Sequence, residues 1–399
     1  MPSSINASTT AGVVTTADTS GVLNIQTAGT TAIAIDASQA VTFTNSANLP
    51  NTFGFKNRII NGAMVIDQRN AGASVTPNQS YTLDRWLYEN TQTGKVTIQQ
   101  NAGAVTPPTG FTNYLGVTST SAYSVLTGDT FLLTTRIEGY NIADLAFGTA
   151  SASSITLSFW VRSSLTGTFG GSFGNASANR SYAFSYTINA ANTWEQKTVS
   201  IAGDTSGTWN TTTGRGLGVT FGLGSGSTYT GTAGSWQSAN LVQPTSTGSV
   251  VGTNAATWYV TGVQLEKGAT ATSFDYRDYG SELALCQRYA VMLGNSGDVF
   301  SNYGYGSAYT TTNVSATVSL PVPMRAIPTT SFPGSGNFMF YRGATNVSSL
   351  SANMAGGNPE NTTTVGAYYF VGAGIVVDSF GKVQSSNNNT TRILFSAEL

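Results

Sequence analysis

Apolar and polar residues alternate in short runs from Lys56 to about Tyr279, and Gly, Ser, Asn and Thr crowd the spaces between the runs. Lys95–Gln99, Ser154–Val161 and Trp194–Val199 each keep this period of two. Successive side chains of a strand point to opposite faces, so the pattern buries one set and solvates the other. Turn residues at these intervals belong to a β-sandwich. The Gly- and Thr-rich stretch Gly203–Gly248 reads either as a long decorated loop or as a pair of irregular strands.

Hydroxyls and amides fill the polar half of the alternation. Only 9% of the 399 residues are charged, against about 25% in ordinary soluble domains. Lys plus Arg number 17 and Asp plus Glu 18, with no basic stripe to release counterions from a nucleic acid. Histidine is absent, which removes imidazole bases, Ser-His and Cys-His pairs and histidine metal sites. A single cysteine, Cys286, makes neither an intrachain disulfide nor a thiolate zinc site. No cofactor is implied. With 40% hydrophobic and 11% aromatic residues the chain still buries a large core. No apolar run reaches the ~18–20 residues of a membrane span, so no membrane insertion is expected. Met1-Pro2-Ser3-Ser4 lacks the basic and apolar regions of a signal peptide. The expectation is a protein made in a cytoplasm, without a signal peptide, whose surface suits the outside.

Residues 1–55 carry only two charges, Asp18 and Asp36. Asp18–Thr27 aligns with Asp36–Asn45, 18 residues on, matching Leu23 and Ile25 to Val41 and Phe43. Ile33 and Ile35 add a third alternating pair. Three short strands of one chain do not close a core. The segment is therefore expected to be a stalk that buries Leu23, Ile25, Ile33, Ile35, Val41 and Phe43 against copies of itself, as a homotrimer.

One helix is predicted. Ser281 can cap it, Glu282 suits its positive end, Leu283–Leu293 holds good helix formers and Gly294 stops it. Its Leu283, Cys286 and Ala290 join the oligomer-interface candidates. Alternation returns in Val314–Leu320, Phe338–Tyr341, Ala367–Val371 and Arg392–Phe395. The fold class is all-β: an N-terminal β stalk over 1–55, a central sandwich over 56–280, a helical connector over 281–294 and a smaller C-terminal β-sandwich over 295–399.

Two blocks carry a family resemblance. The first is Lys56–Met64, with Asp67-Gln68-Arg69 and Tyr81–Trp86; the second is Trp258–Gly268, continuing through Thr272–Arg277 to Glu282–Tyr289. Together they resemble the tail-fibre and virion-structural proteins of tailed bacteriophages. The endings Leu320–Thr329 and Phe395–Leu399 look like the distal domain of the same proteins. The resemblance implies that the first block opens a jelly-roll and that the second forms its last strand and a short helix. It implies a virion protein released by lysis, anchored through its N-terminus to another virion protein and binding host cell-surface polysaccharide. A head fibre or capsid decoration protein with a structural role is the alternative. Ser158–Arg162 and Trp258–Glu266 also look like strands of a carbohydrate-binding module. That family often holds a structural calcium with an acidic pair before the last strand's Val; here the positions are Thr261 and Gly262, and Asp275 and Asp278 are too few alone.

Candidate receptor-binding residues are aromatic. Trp209, Tyr229 and Trp236 lie among glycines, where a ring could stack on a sugar or pack inward. Tyr303, Tyr305 and Tyr309 share parity around Gly304 and Gly306, and Tyr341 belongs to the same distal domain. Adjacent Tyr368 and Tyr369 should face opposite sides. Trp86, Trp160 and Trp258 are assigned to the core. A polysaccharide depolymerase needs two placed carboxylates, whereas Asp84, Glu89, Glu195, Asp204 and Asp298 are scattered along the chain. Asp84 with Arg85, Glu266 with Lys267 and Asp275 with Arg277 are expected as ion pairs. The chain is thus read as a non-enzymatic binding protein, with adsorption that depends weakly on salt.

Overall fold

A computed structural model describes residues 3–8, 12–16, 20–38, 41–43, 55–294, 299–332, 337–343, 347–351, 365–372, 375–385 and 391–399. The fold is all-β, with one α-helix among the described residues. The chain divides into two units, residues 1–54 and 55–399.

The repeat in the first unit becomes one sheet. Ser3–Ser8 pairs antiparallel with Gly12–Thr16 and parallel with Leu23–Thr27, and Thr30–Ile35 and Val41–Phe43 follow in order. Leu23 lies opposite Ile35, and Ile35 opposite Val41; Ile25 lies opposite Ile33, and Ile33 opposite Phe43. Directly opposed residues share a face, so the repeat places its apolar residues in two rows on one side. Leu23, Ile33 and Ile35 are half-buried, while Ile25 and Val41 remain 37% and 53% exposed. The side chains of Phe43, Tyr368 and Tyr369 lie outside the described residues.

In the second unit two sheets share one core. The larger has seven strands in the order Trp236–Gln237, Ser181–Ile188, Gly167–Gly174, Arg215–Ser225, Thr130–Glu138, Trp86–Asn90, Ser80–Leu83. The other has five: Glu195–Ile201, Ile155–Ser163, Thr257–Lys267, Leu115–Ser119, Val96–Gln100. Trp86, Phe131, Phe159, Phe221 and Trp258 fill the space between them. Trp160 is only half-buried, which corrects its assignment to the core. Leu157, Phe159 and Val161 hold the inward parity of that strand, so Trp160 must face out. The Gly-rich stretch contains the eleven-residue strand Arg215–Ser225. Its Leu217, Val219, Phe221 and Leu223 are fully buried, and the residues between them are mostly glycine.

The helix is shorter than predicted, Tyr279–Gln287, and Asp278 caps it by accepting the Ser281 N–H at 3.0 Å. Ala290–Leu293 is a strand that pairs with Ile393–Ser396. Cys286 packs with Ile60, Ile66 and Tyr289, with Leu283 against them, and Ala290 is buried as well. Cys286 and Ala290 are thus spent within the chain and offer no surface to a second copy, a correction to the predicted interface.

The C-terminal β region closes into a six-stranded barrel of Asn302–Ala308, Asn313–Ser319, Val365–Gly372, Val347–Ser351, Asn337–Tyr341 and Phe380–Ser385. Its core includes Tyr303, Val314, Val318, Phe338, Phe340 and Phe370. The end of the chain then returns to the sandwich: Glu398 pairs with Arg69 at 2.9 Å and with Arg85, and the Leu399 carbonyl accepts from the Tyr81 hydroxyl at 3.1 Å.

None of the three expected neighbour ion pairs forms. Asp84 accepts from Gln68, Lys267 approaches Asp144 at 3.5 Å and Arg277 pairs with Glu282 at 3.1 Å. Asp84 and Arg85, like Glu266 and Lys267, are adjacent in extended chain and point apart; Asp275 instead accepts the Asn57 N–H.

Candidate functional site

The outer face of the seven-stranded sheet carries a cleft of about 220 Å³. Strand alternation builds its floor. Thr130, Leu132 and Thr134 from one strand, Ser172 from a second and Thr220 from a third line it, while their neighbours Phe131, Leu133, Phe173 and Phe221 point into the core. Thr134 and Thr220 share a hydrogen bond at 3.2 Å across adjacent strands. Tyr229, Asn240, Leu241 and Val242 form one wall, and Glu89, Arg180 and Arg215 supply charge.

The charges are unequal in their partners. Glu89 accepts from Arg136 at 2.8 Å. Arg180 grips Asp204 in a bidentate pair, with Nε 2.8 Å from Oδ2. The Arg215 Nε is buried without a hydrogen-bond partner. Burial, then the neighbouring Arg136, pull the Arg215 pKa down to about 10. The cleft therefore offers hydroxyls, one tyrosine ring and a guanidinium, a mixture suited to a polar, hydroxyl-rich ligand.

Among the predicted aromatics, Tyr229 lines this cleft. Trp209 and Trp236 do not. They pack edge to face at 5.4 Å, each against Phe147, and donate their N–H groups to Ser206 O at 3.1 Å and Ala202 O at 2.9 Å. Trp209 is buried, so its ring is no platform for a sugar.

On the barrel, Tyr305 and Tyr309 are 56% and 47% exposed. Tyr303 is buried and donates its hydroxyl to Thr391 O at 2.6 Å, which corrects the shared face predicted for the three. The reason is a bulge: the register slips between Asn302 and Gly304, so Tyr303 is the extra residue and the parity inverts there. Tyr341 is half-buried beneath Lys382, whose Nζ lies 4.9 Å from the ring centroid. Sequence reasoning missed Phe380, 69% exposed, whose ring lies parallel to that of Tyr305 with centroids 6.4 Å apart.

A second concavity of about 230 Å³ gathers Phe111, Phe274 and Tyr276, with ring centroids 4.8–5.5 Å apart. The carbohydrate-module calcium does not fit the residues near it. The Thr261 hydroxyl is committed to Asn113 O at 2.6 Å, Gly262 has no side chain, and the Asp275 carboxylate accepts the Asn57 N–H at 3.2 Å. These do not assemble the six to eight oxygens that calcium takes. Among the described residues no three His, Cys, Asp or Glu side chains come together around a metal-sized space, and no helix is long and apolar enough to cross a membrane.

No family model matches the chain, and no curated protein matches it. Solved structures match the chain at low identity. The chain is similar to the enzymatically active domain of bacteriophage CBA120 tailspike protein 4, at 12% identity and TM-score 0.30, over 61% of this chain and 25% of that one. It thus spans about a quarter of the tailspike domain's length. It is also similar to a family 11 carbohydrate-binding module from Clostridium thermocellum, at 11% identity and TM-score 0.26, over 50% of this chain and 97% of that one. A third similarity is to the CBM22-1 xylan-binding domain from Paenibacillus barcinonensis, at 11% identity and TM-score 0.22, over 51% and 99% of the two chains.

Proposed function

We propose that the chain is a homotrimeric bacteriophage tail fibre that attaches to the host by binding surface glycan without cleaving it. The observation that carries this reading is the cleft on the seven-stranded sheet. Its floor of Thr134, Ser172 and Thr220 and its Tyr229 wall offer a sugar both hydrogen bonds and an apolar ring. Glycoside hydrolysis uses two carboxylates; the cleft lining has one, Glu89, already paired with Arg136. The half-exposed apolar face of the N-terminal sheet supports burial against sister chains, and three linked copies multiply a weak single-site affinity. The phage assignment rests on the two motif blocks at Lys56–Trp86 and Trp258–Tyr289.

The test is to incubate the full chain with host cells and with their purified surface polysaccharide, scoring binding and release of reducing ends together. Binding without release is expected. Steady release that one Asp→Asn or Glu→Gln change abolishes would overturn the non-catalytic reading. Labelling the N-terminus on intact virions separates a tail fibre from a head fibre.

A further inference from the structure

We infer that the cleft selects an acidic sugar residue, and that the Arg215 guanidinium receives its carboxylate. This inference rests on reading the cleft as a glycan site and names the class of glycan.

Arg215 is built into an unusual place. The pairing of Thr130–Glu138 with Arg215–Ser225 slips between Ile137 and Glu138, leaving Gly216 as the extra residue. That bulge turns Arg215 away from the inward parity of Leu217 and Val219 and onto the cleft side. The guanidinium then lies over Gly218, where an added Cβ would sit 2.3 Å from Nη2. No side chain could occupy that position without displacing the arginine, so glycine there makes room for the charge.

The other two arginines near the cleft are consumed. Arg180 is held by Asp204 and Arg136 by Glu89. Arg215 forms no ion pair with an acidic side chain among the described residues; Glu89, on the same cleft, attracts it from beyond ion-pair distance while being held by Arg136. The Arg215 side chain is half-buried, and a partly desolvated guanidinium gains from an anionic partner. Its planar fork matches a carboxylate through two parallel hydrogen bonds. The hydroxyls of Thr134, Ser172 and Thr220 line the same cleft and suit the remaining sugar hydroxyls.

The test uses the full chain and three oligosaccharides of equal length: a hexuronan, its carboxyl-reduced neutral form, and a sulfated neutral form. We expect the hexuronan to bind at least tenfold more tightly than the reduced form, and more tightly than the sulfated one. Arg215→Gln should bring hexuronan affinity down to that of the neutral form, with Arg215→Lys intermediate because lysine keeps charge but loses the fork. Unchanged melting curves confirm that both variants fold. Equal binding of hexuronan and reduced form by the parent chain, a preference for sulfate, or a preference surviving Arg215→Gln would each overturn the inference. Absence of binding to all three would overturn it as well. Thr220→Trp, which fills the cleft, separates the two readings. If it abolishes neutral-glycan binding, the cleft is a glycan site whether or not Arg215 selects. If it leaves neutral and acidic binding intact, the cleft reading itself fails.

Discussion

Trp258 donates its indole N–H to the Tyr186 hydroxyl at 3.0 Å, joining the two sheets of the sandwich through a buried hydrogen bond. Both rings belong to the core cluster, where Phe159 packs edge-on against Tyr186 at 5.0 Å. Tyr186→Phe keeps the ring and leaves the indole donor buried without an acceptor. The expected loss is roughly 1–3 kcal/mol, the cost of an unpaired buried polar group. Urea unfolding followed by tryptophan fluorescence measures it; an unchanged midpoint would mean that the N–H finds another acceptor.

Acid should weaken the join between sandwich and helix. Glu138 is buried and binds Arg288 at 2.7 and 2.9 Å and the Tyr289 hydroxyl at 2.6 Å. Burial pushes its pKa up, and the hydrogen bonds from Arg288 and Tyr289 outweigh burial, holding the carboxyl below its ordinary value of 4.5. A depressed folded-state value adds stability that is present above the unfolded value and lost as pH falls through the folded one. Stability should therefore drop as pH is lowered below about 4.5. Glu138→Gln should cost roughly 1–3 kcal/mol at neutral pH and flatten part of that acid slope. An identical slope in the variant would assign the acid loss to other carboxylates.

The N-terminal sheet should decide the oligomeric state. Ile33 and Ile35 lie at the centre of its two apolar rows, each opposed on both sides. Ile33→Asp with Ile35→Asp places charge on that face and should shift a sedimenting trimer toward monomer at micromolar concentration. A parent chain that sediments as a monomer would refute the stalk reading outright.

Host adsorption should also use the barrel. Tyr305→Ala combined with Phe380→Ala removes the exposed parallel ring pair, and a severalfold fall in adsorption with an unchanged melting curve is expected. Deleting residues 295–399 is a poorer test, because it also removes Glu398 from Arg69 and Arg85 and strips the partner strand from Ala290–Leu293. Undiminished adsorption by the point variants would move recognition wholly to the sandwich cleft.

The strand alternation and turn residues determined the all-β class by themselves, because a period of two is a local property of side-chain direction. The repeat at Asp18 and Asp36 likewise specified apolar pairs that the sheet register sets opposite one another. Parity within Ser154–Val161 was equally legible and would have placed Trp160 outside. Three features depended on the tertiary structure. The bulges at Tyr303 and Gly216 invert parity where two strands meet out of step, and only the paired strand reveals that step. The strand Arg215–Ser225 lies in a stretch that reads equally as loop or as irregular strands because glycines occupy most of its alternate positions, and its role appears only when Arg215 lies over Gly218. Charge pairing was decided across distance: Arg85 stands beside Asp84 in sequence but meets Glu398, because folding brings the chain's end onto the sandwich.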